Sequence, residues 1–178
     1  MLDRLVDTLL QFIELFKFWT VVPQYEQGVL LRLGKFVTVV EPGFRFVWPL
    51  GIDHVATEVV VMQTKSLGNL STTTKDNKSV GFECIITYKI NDIQKALLSV
   101  DRVDDAIVDA CQGIVGMMVS SMTLAELMNA EQTTEKLSLA CRKRGWRYGV
   151  EILTAQLAGV SLVRNIRLLG DYYHGKRA

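Results

Sequence analysis

Between positions 80 and 90 the chain alternates. Val80, Phe82, Cys84, Ile86, Tyr88 and Ile90 fall on every second residue, and Gly81, Glu83, Thr87 and Lys89 fall between them. A period of two predicts a half-buried strand, because successive side chains of an extended backbone point to opposite faces. Asp76 and Asn77 separate this run from a Thr-rich, β-prone stretch before it, and both tolerate the positive φ of a tight hairpin turn. After the run, Asn91-Asp92 can cap a helix in which Ile93, Ala96, Leu97 and Val100 recur at helical spacing. The predicted unit is strand, turn, strand, cap and helix.

The N-terminus has a different period. Leu2, Leu5, Val6, Leu9, Ile13 and Phe16 trace one helical face, widened by Leu10 and Phe12, while Asp3, Arg4, Asp7, Gln11, Glu14 and Lys17 hold the other. This predicts an amphipathic helix over residues 1–20, ending before Pro23. Five charges before Trp19 are too many for a membrane span, and the acidic residues do not suit a cleaved signal. Two roles fit the pattern: a helix lying in the plane of a membrane with Phe18-Trp19 at the interface, or one packed against neighbouring subunits. Gly28, Gly34 and Gly43 then read as turns between short strands over residues 29–33, 36–40, 44–48 and 55–64. Connections this short require an antiparallel sheet. Alternation puts Phe44, Phe46 and Trp48 on one face of the third, which predicts a core strand.

Helical spacing returns at Val103 and continues through Ala106, Ile107, Ala110, Cys111, Ile114 and Met117 or Met118. Ala106, Ala110 and Gly113 are small enough to allow close approach of a neighbouring element. Thr123-Leu-Ala-Glu126 is a capping box that restarts the helix. A further helix over 131–144 ends in Arg142, Lys143 and Arg144, followed by Gly145 and Arg147. Cations there complement the negative end of the helix dipole, so they need no anionic ligand to explain them. A final strand is expected over 150–157, or on to Val163.

Composition narrows the chemistry. The chain has 178 residues, enough for one domain and an appendage, and its hydrophobic content of 49% is ample for a core. Twenty basic residues against nineteen acidic ones give no field that would recruit nucleic acid. Cys84, Cys111 and Cys141 lack the spacing of a zinc site or a disulfide framework and read as reduced core thiols. His54 and His174 have no evident orienting partner for nucleophilic catalysis, and the adjacent Asp104 and Asp105 point apart on a helix. No cofactor or metal motif is present, and no enzymatic activity is expected.

TKDN before an alternating strand, a Tyr, an Asn-Asp and a KALL helix resembles the stomatin/prohibitin/flotillin (SPFH, band 7) domain. VVPQYEQGVLLRLGKF with EPGFRFVWPL upstream, and SSMTLAEL downstream, resemble two further blocks of that family in the expected order. The resemblance covers residues 21–127 closely and the next helix and strand more loosely. It implies an α+β fold of short antiparallel strands with packed helices, over residues 21–169, between the N-terminal helix and a polar tail at 170–178. It also implies a non-enzymatic homo-oligomeric scaffold on the cytoplasmic face of a membrane, organising a membrane protein or protease partner. A soluble assembly protein, of phage type for example, is the alternative. In this family an aromatic strand tip can dip into the bilayer, which gives Phe44, Phe46 and Trp48 a second reading. With Leu2, Leu5, Val6, Leu9, Phe12, Ile13, Phe16 and Trp19 they form the expected membrane or assembly contact, while Asp76 and Asn77 form a structural turn. Family members usually continue into a long charged helix that forms coiled coils; assembly behaviour that depends on it is not expected here.

Overall fold

The alternating run forms the longest central strand of the molecule. The computed structural model describes residues 18–163, in which eight strands and four helices follow one another. The strands are β1 (Trp19–Val22), β2 (Glu26–Arg32), β3 (Lys35–Val40), β4 (Gly43–Phe46), β5 (Asp53–Val59), β6 (Gln63–Thr73), β7 (Ser79–Ile90) and β8 (Val150–Leu162). The helices are α1 (Ile93–Leu98), α2 (Val103–Ser121), α3 (Leu124–Met128) and α4 (Ala130–Gly145). Every strand pairing is antiparallel, in three small sheets of order β1-β4, β3-β2-β5 and β6-β7-β8. The fold is α+β.

β7 runs between β6 and β8, and its even-numbered residues are all buried, from Val80 to Ile90. They meet a stripe of α2 spaced by four residues, Val103, Ile107, Cys111, Val115 and Val119, together with Leu137 and Cys141 of α4. At the turn before β7, Asn77 takes φ 59° and the Asp76 carboxylate accepts from Thr74 Oγ1 at 2.6 Å and from Leu124 N at 3.2 Å. The turn is thereby tied to the start of α3. That helix has the expected capping box: Glu126 N donates to Thr123 Oγ1 and Thr123 N donates to Glu126 Oε2. At the other end of β7, Asp92 caps α1 by accepting from Lys95 N. The β3-β2-β5 sheet joins the same core through Val29, with Leu31, Val39 and Ala56 packed beside it.

Side chains of α4 cover the outer edge of β8. Ser138 Oγ accepts from Ala155 N at 2.9 Å, and the Arg142 guanidinium donates to the carbonyls of Ile152 and Leu153. Blocking an edge strand this way removes a template for unwanted pairing.

Four expectations need correction. Trp19 and Thr20 are in β1, not in a helix, because their partners Phe46 and Arg45 supply a strand to pair with. Gly28 is not a turn residue but lies inside β2, where a Cβ would come within 2.5 Å of the Ala56 carbonyl oxygen. The expected strand over 55–64 is two strands, β5 and β6, broken at residues 60–62. Gly113 has open space beside it, so no element approaches α2 there.

Candidate functional site

Phe44, Phe46 and Trp48 do not face a core. They are 57%, 79% and 60% exposed, which overturns the core-strand expectation. The register of the β1–β4 ribbon explains why they stand together with part of β1. Trp19 is opposite Phe46 and Val21 is opposite Phe44, so these four side chains share one face. Trp19 and Val21 are also exposed, whereas Val22, on the opposite face, is buried. The Phe44 and Phe46 rings sit edge to face with centroids 5.1 Å apart, the arrangement that the ring quadrupoles favour. Val47 N donates to Phe18 O and extends the ribbon by one further bond. Phe18, Leu33, Phe36, Val37 and Leu50 are exposed as well, so apolar surface accumulates on residues 18–50. A patch of this kind is uncommon on a protein that meets only water.

One bidentate ion pair ties the end of β2 to the start of β5 and to the loop that carries Trp48. Arg32 Nε and Nη2 donate to the two carboxylate oxygens of Asp53 at 2.7 and 3.1 Å, and Trp48 N donates to Asp53 Oδ2 at 3.0 Å. Hydrogen bonding from Arg32 holds the Asp53 carboxyl below the usual carboxylate range. No sequence pattern singled out this pair; an Arg at a strand end and an Asp twenty-one residues later carry no periodic signal.

The predicted contacts Leu2, Leu5, Val6, Leu9, Phe12, Ile13 and Phe16 lie outside the described residues. Trp19, Phe44, Phe46 and Trp48 belong to one exposed region. Asp76 and Asn77 are elsewhere, beside the start of α3.

Several other titratable groups have structural partners. Tyr88 is fully buried and donates to Asp104 Oδ1 at 2.6 Å, while Lys65 Nζ approaches Asp104 Oδ2 at 2.8 Å. Burial opposes ionisation of Asp104, but the hydrogen bonds from Lys65 and Tyr88 outweigh it and hold the carboxyl below the usual range. Asp105 pairs instead with Arg102, so Asp104 and Asp105 do not act on a common atom. Burial pushes the Cys84 thiol up to about 12, and Cys111 and Cys141 are equally enclosed. Among the described residues no group of three or more His, Cys, Asp or Glu side chains is arranged to hold a metal ion. No described helix is long and apolar enough to cross a membrane.

The model of the SPFH domain / Band 7 family matches residues 20–168. Over 83% of its length the chain is 26% identical to an uncharacterised protein of Methanocaldococcus jannaschii, covering 74% of that protein. It is 23% identical over 82% of its length to the stomatin-like protein stl-1 of Caenorhabditis elegans, covering 45% of it. The modulator of FtsH protease HflK of Escherichia coli is 28% identical over 63% of this chain. That match covers 26% of HflK, so the chain spans less than half the length of these last two relatives.

Proposed function

Because the chain belongs to the SPFH domain / Band 7 family, we propose that it is a non-enzymatic scaffold that lies on a membrane surface and gathers partner proteins there. The observation that carries this reading is the exposed apolar face of the β1–β4 ribbon, Trp19, Val21, Phe44 and Phe46, continued by Trp48. Aromatic side chains with an apolar body and, in Trp, a polar N–H suit the boundary between acyl chains and headgroups. The amphipathic pattern of Leu2, Leu5, Val6, Leu9, Phe12, Ile13 and Phe16 directly precedes this ribbon in the sequence and would add apolar side chains to the same contact. Binding is peripheral, on the cytoplasmic face, and copies of the chain associate side by side. The relative described as a modulator of FtsH protease favours a protease as the partner.

Burying an aromatic or large aliphatic side chain contributes about 1.5–3 kcal/mol before ordering costs. The charges of the N-terminal pattern are Asp3, Asp7 and Glu14 against Arg4 and Lys17, so attraction to anionic lipid adds little. Flotation with vesicles tests this. The intact chain should float at low and high salt, and Phe44→Ser/Phe46→Ser/Trp48→Ser should float less. An intact chain that never floats, yet forms large particles in plain buffer that the variant cannot form, replaces the lipid surface with a subunit interface. An intact chain that is monomeric and indifferent to lipid removes both.

A further inference from the structure

The helical course of α4 continues past its last residue. Gly145 and Trp146 both have helical backbones, with φ of −56° and −55°, and a 3-10 turn runs on over Trp146–Tyr148. Residues three and four apart share a helical face, so Leu139, Lys143, Trp146 and Arg147 form one stripe. All four are exposed, Leu139 at 51% and Trp146 at 59%, and Arg144 is exposed beside them. Cations in the last turn of α4 suit the helix dipole, but that effect fades beyond the turn and asks for no aromatic side chain. Arg147 lies past the helix. Arg142 is used within the fold, where it donates to the carbonyls of Ile152 and Leu153. Among the described residues no carboxylate lies within salt-bridge distance of Lys143, Arg144 or Arg147.

Beside Trp146 a cleft of about 140 Å³ opens where the end of β7, the start of α1 and the start of β8 meet. Its two carboxylates already have partners: Asp92 has Lys95 at 2.9 Å and Glu151 has Lys89 at 3.2 Å. Gly149, Val150 and the Trp146 indole form an uncharged part of the wall. The cleft therefore suits an uncharged side chain, while the stripe outside it carries an excess of positive charge.

We propose that this surface docks an acidic segment of a partner protein, with carboxylates on Lys143, Arg144 and Arg147 and one apolar side chain in the cleft against Trp146. This rests on the reading that the chain gathers partner proteins, and it names the chemistry that one of them presents. Charge complementarity argues for the acidic partner, because three exposed cations stand together with no carboxylate of their own. Trp and Arg are the side chains that most often dominate binding at protein interfaces, and here they are neighbours. Two carboxylates in the cleft wall would be costly to bring under a bilayer, whereas a single peptide side chain can enter between them and the indole.

The probe is a fluorescein-labelled octapeptide of glutamate with two leucines, titrated with the full chain and followed by anisotropy. It should bind at low salt and weaken as salt rises, because exposed ion pairs are screened. Lys143→Ser/Arg147→Ser should weaken binding about tenfold, and Trp146→Ser about fivefold. Lys35→Ser/Arg45→Ser removes the same charge from exposed positions elsewhere and should leave the affinity unchanged. In the fluorotryptophan-labelled wild type the Trp146 resonance should shift with peptide while those of Trp19 and Trp48 stay, which tests the site with no substitution. No peptide binding by the wild type at low salt, or equal binding by the two double variants, overturns the proposal. A Trp146 shift with phosphatidylcholine–phosphatidylglycerol vesicles and none with peptide also overturns it and gives the surface to lipid. Salt-dependent self-association that Lys143→Ser/Arg147→Ser abolishes, without peptide binding, gives the surface to a second copy instead. Vesicle flotation of the wild type, run in parallel, separates this proposal from the membrane contact. Peptide binding without flotation removes the membrane contact and keeps this surface; flotation without peptide binding does the reverse.

Discussion

Tyr88→Phe isolates a single charged hydrogen bond in the core. The ring of Tyr88 is fully buried and stays so in the variant; only the hydroxyl that donates to Asp104 at 2.6 Å is lost. Hydrogen bonds to charged groups contribute about 1.5–3 kcal/mol. The Asp104 side chain is 27% exposed and keeps Lys65 at 2.8 Å, so water and the ammonium make up part of the loss. A net destabilisation of about 1–2 kcal/mol follows. For a domain of this size that lowers the melting temperature by about 2–8 °C. The sign of the pH dependence is fixed by Asp104, whose carboxyl is held below its usual range in the folded protein. A depressed carboxyl contributes stability above its unfolded value of about 4, and the contribution is lost as pH falls through the lower folded value. The gap between wild type and Tyr88→Phe should therefore be widest near neutrality and narrow in acid. Thermal unfolding followed by circular dichroism across that range measures it. Equal melting temperatures at neutral pH, or a gap that widens in acid, refute the reasoning.

Gly28→Ala should cost about 1–3 kcal/mol, because the new Cβ meets the Ala56 carbonyl oxygen at 2.5 Å and Thr57 Cγ2 at 2.9 Å; an unchanged denaturation midpoint would show that the β2–β5 register is wrong. Asn77→Val should lower stability by about 1–3 kcal/mol, since a β-branched residue resists the φ of 59° at that turn, and an unaltered melting temperature would count against the turn geometry. The buried thiols of Cys84, Cys111 and Cys141 should react with a thiol reagent only as fast as the chain unfolds. Rapid labelling of the native protein would mean that the core opens where it is described as closed.

The β7 unit was legible because three local codes agree in it: a period of two, a turn pair at Asp76-Asn77 and a cap at Asp92. The capping box at Thr123 and Glu126 was legible for the same reason, since it depends on four consecutive residues. In α2 the periodicity located Val103, Ile107 and Cys111, but Val115 and Val119 complete the stripe. Of the alternatives Met117 and Met118, Met118 packs against the core and Met117 is exposed. The N-terminal part misled where pairing overrides pattern. Trp19 continues a helical pattern in sequence, yet its strand partner, Phe46, is twenty-seven residues away. Phe44, Phe46 and Trp48 alternate as a core strand would, and alternation says which residues share a face but not what that face meets. Gly28 looks like a turn glycine because a close approach by a neighbouring strand leaves no mark in local sequence. The Arg32–Asp53 pair was hidden for that reason too.

The proposal that the exposed face of the β1–β4 ribbon and the loop at residues 47–52 meet a bilayer is tested by hydrogen–deuterium exchange of the full chain with and without vesicles. On adding vesicles, amides of β1, β4 and the loop at residues 47–52 should gain protection, while the turn at residues 74–78 and the outer part of α4 should exchange as before. Protection confined to α3, α4 and β8, with the β1–β4 ribbon unchanged, would contradict the account.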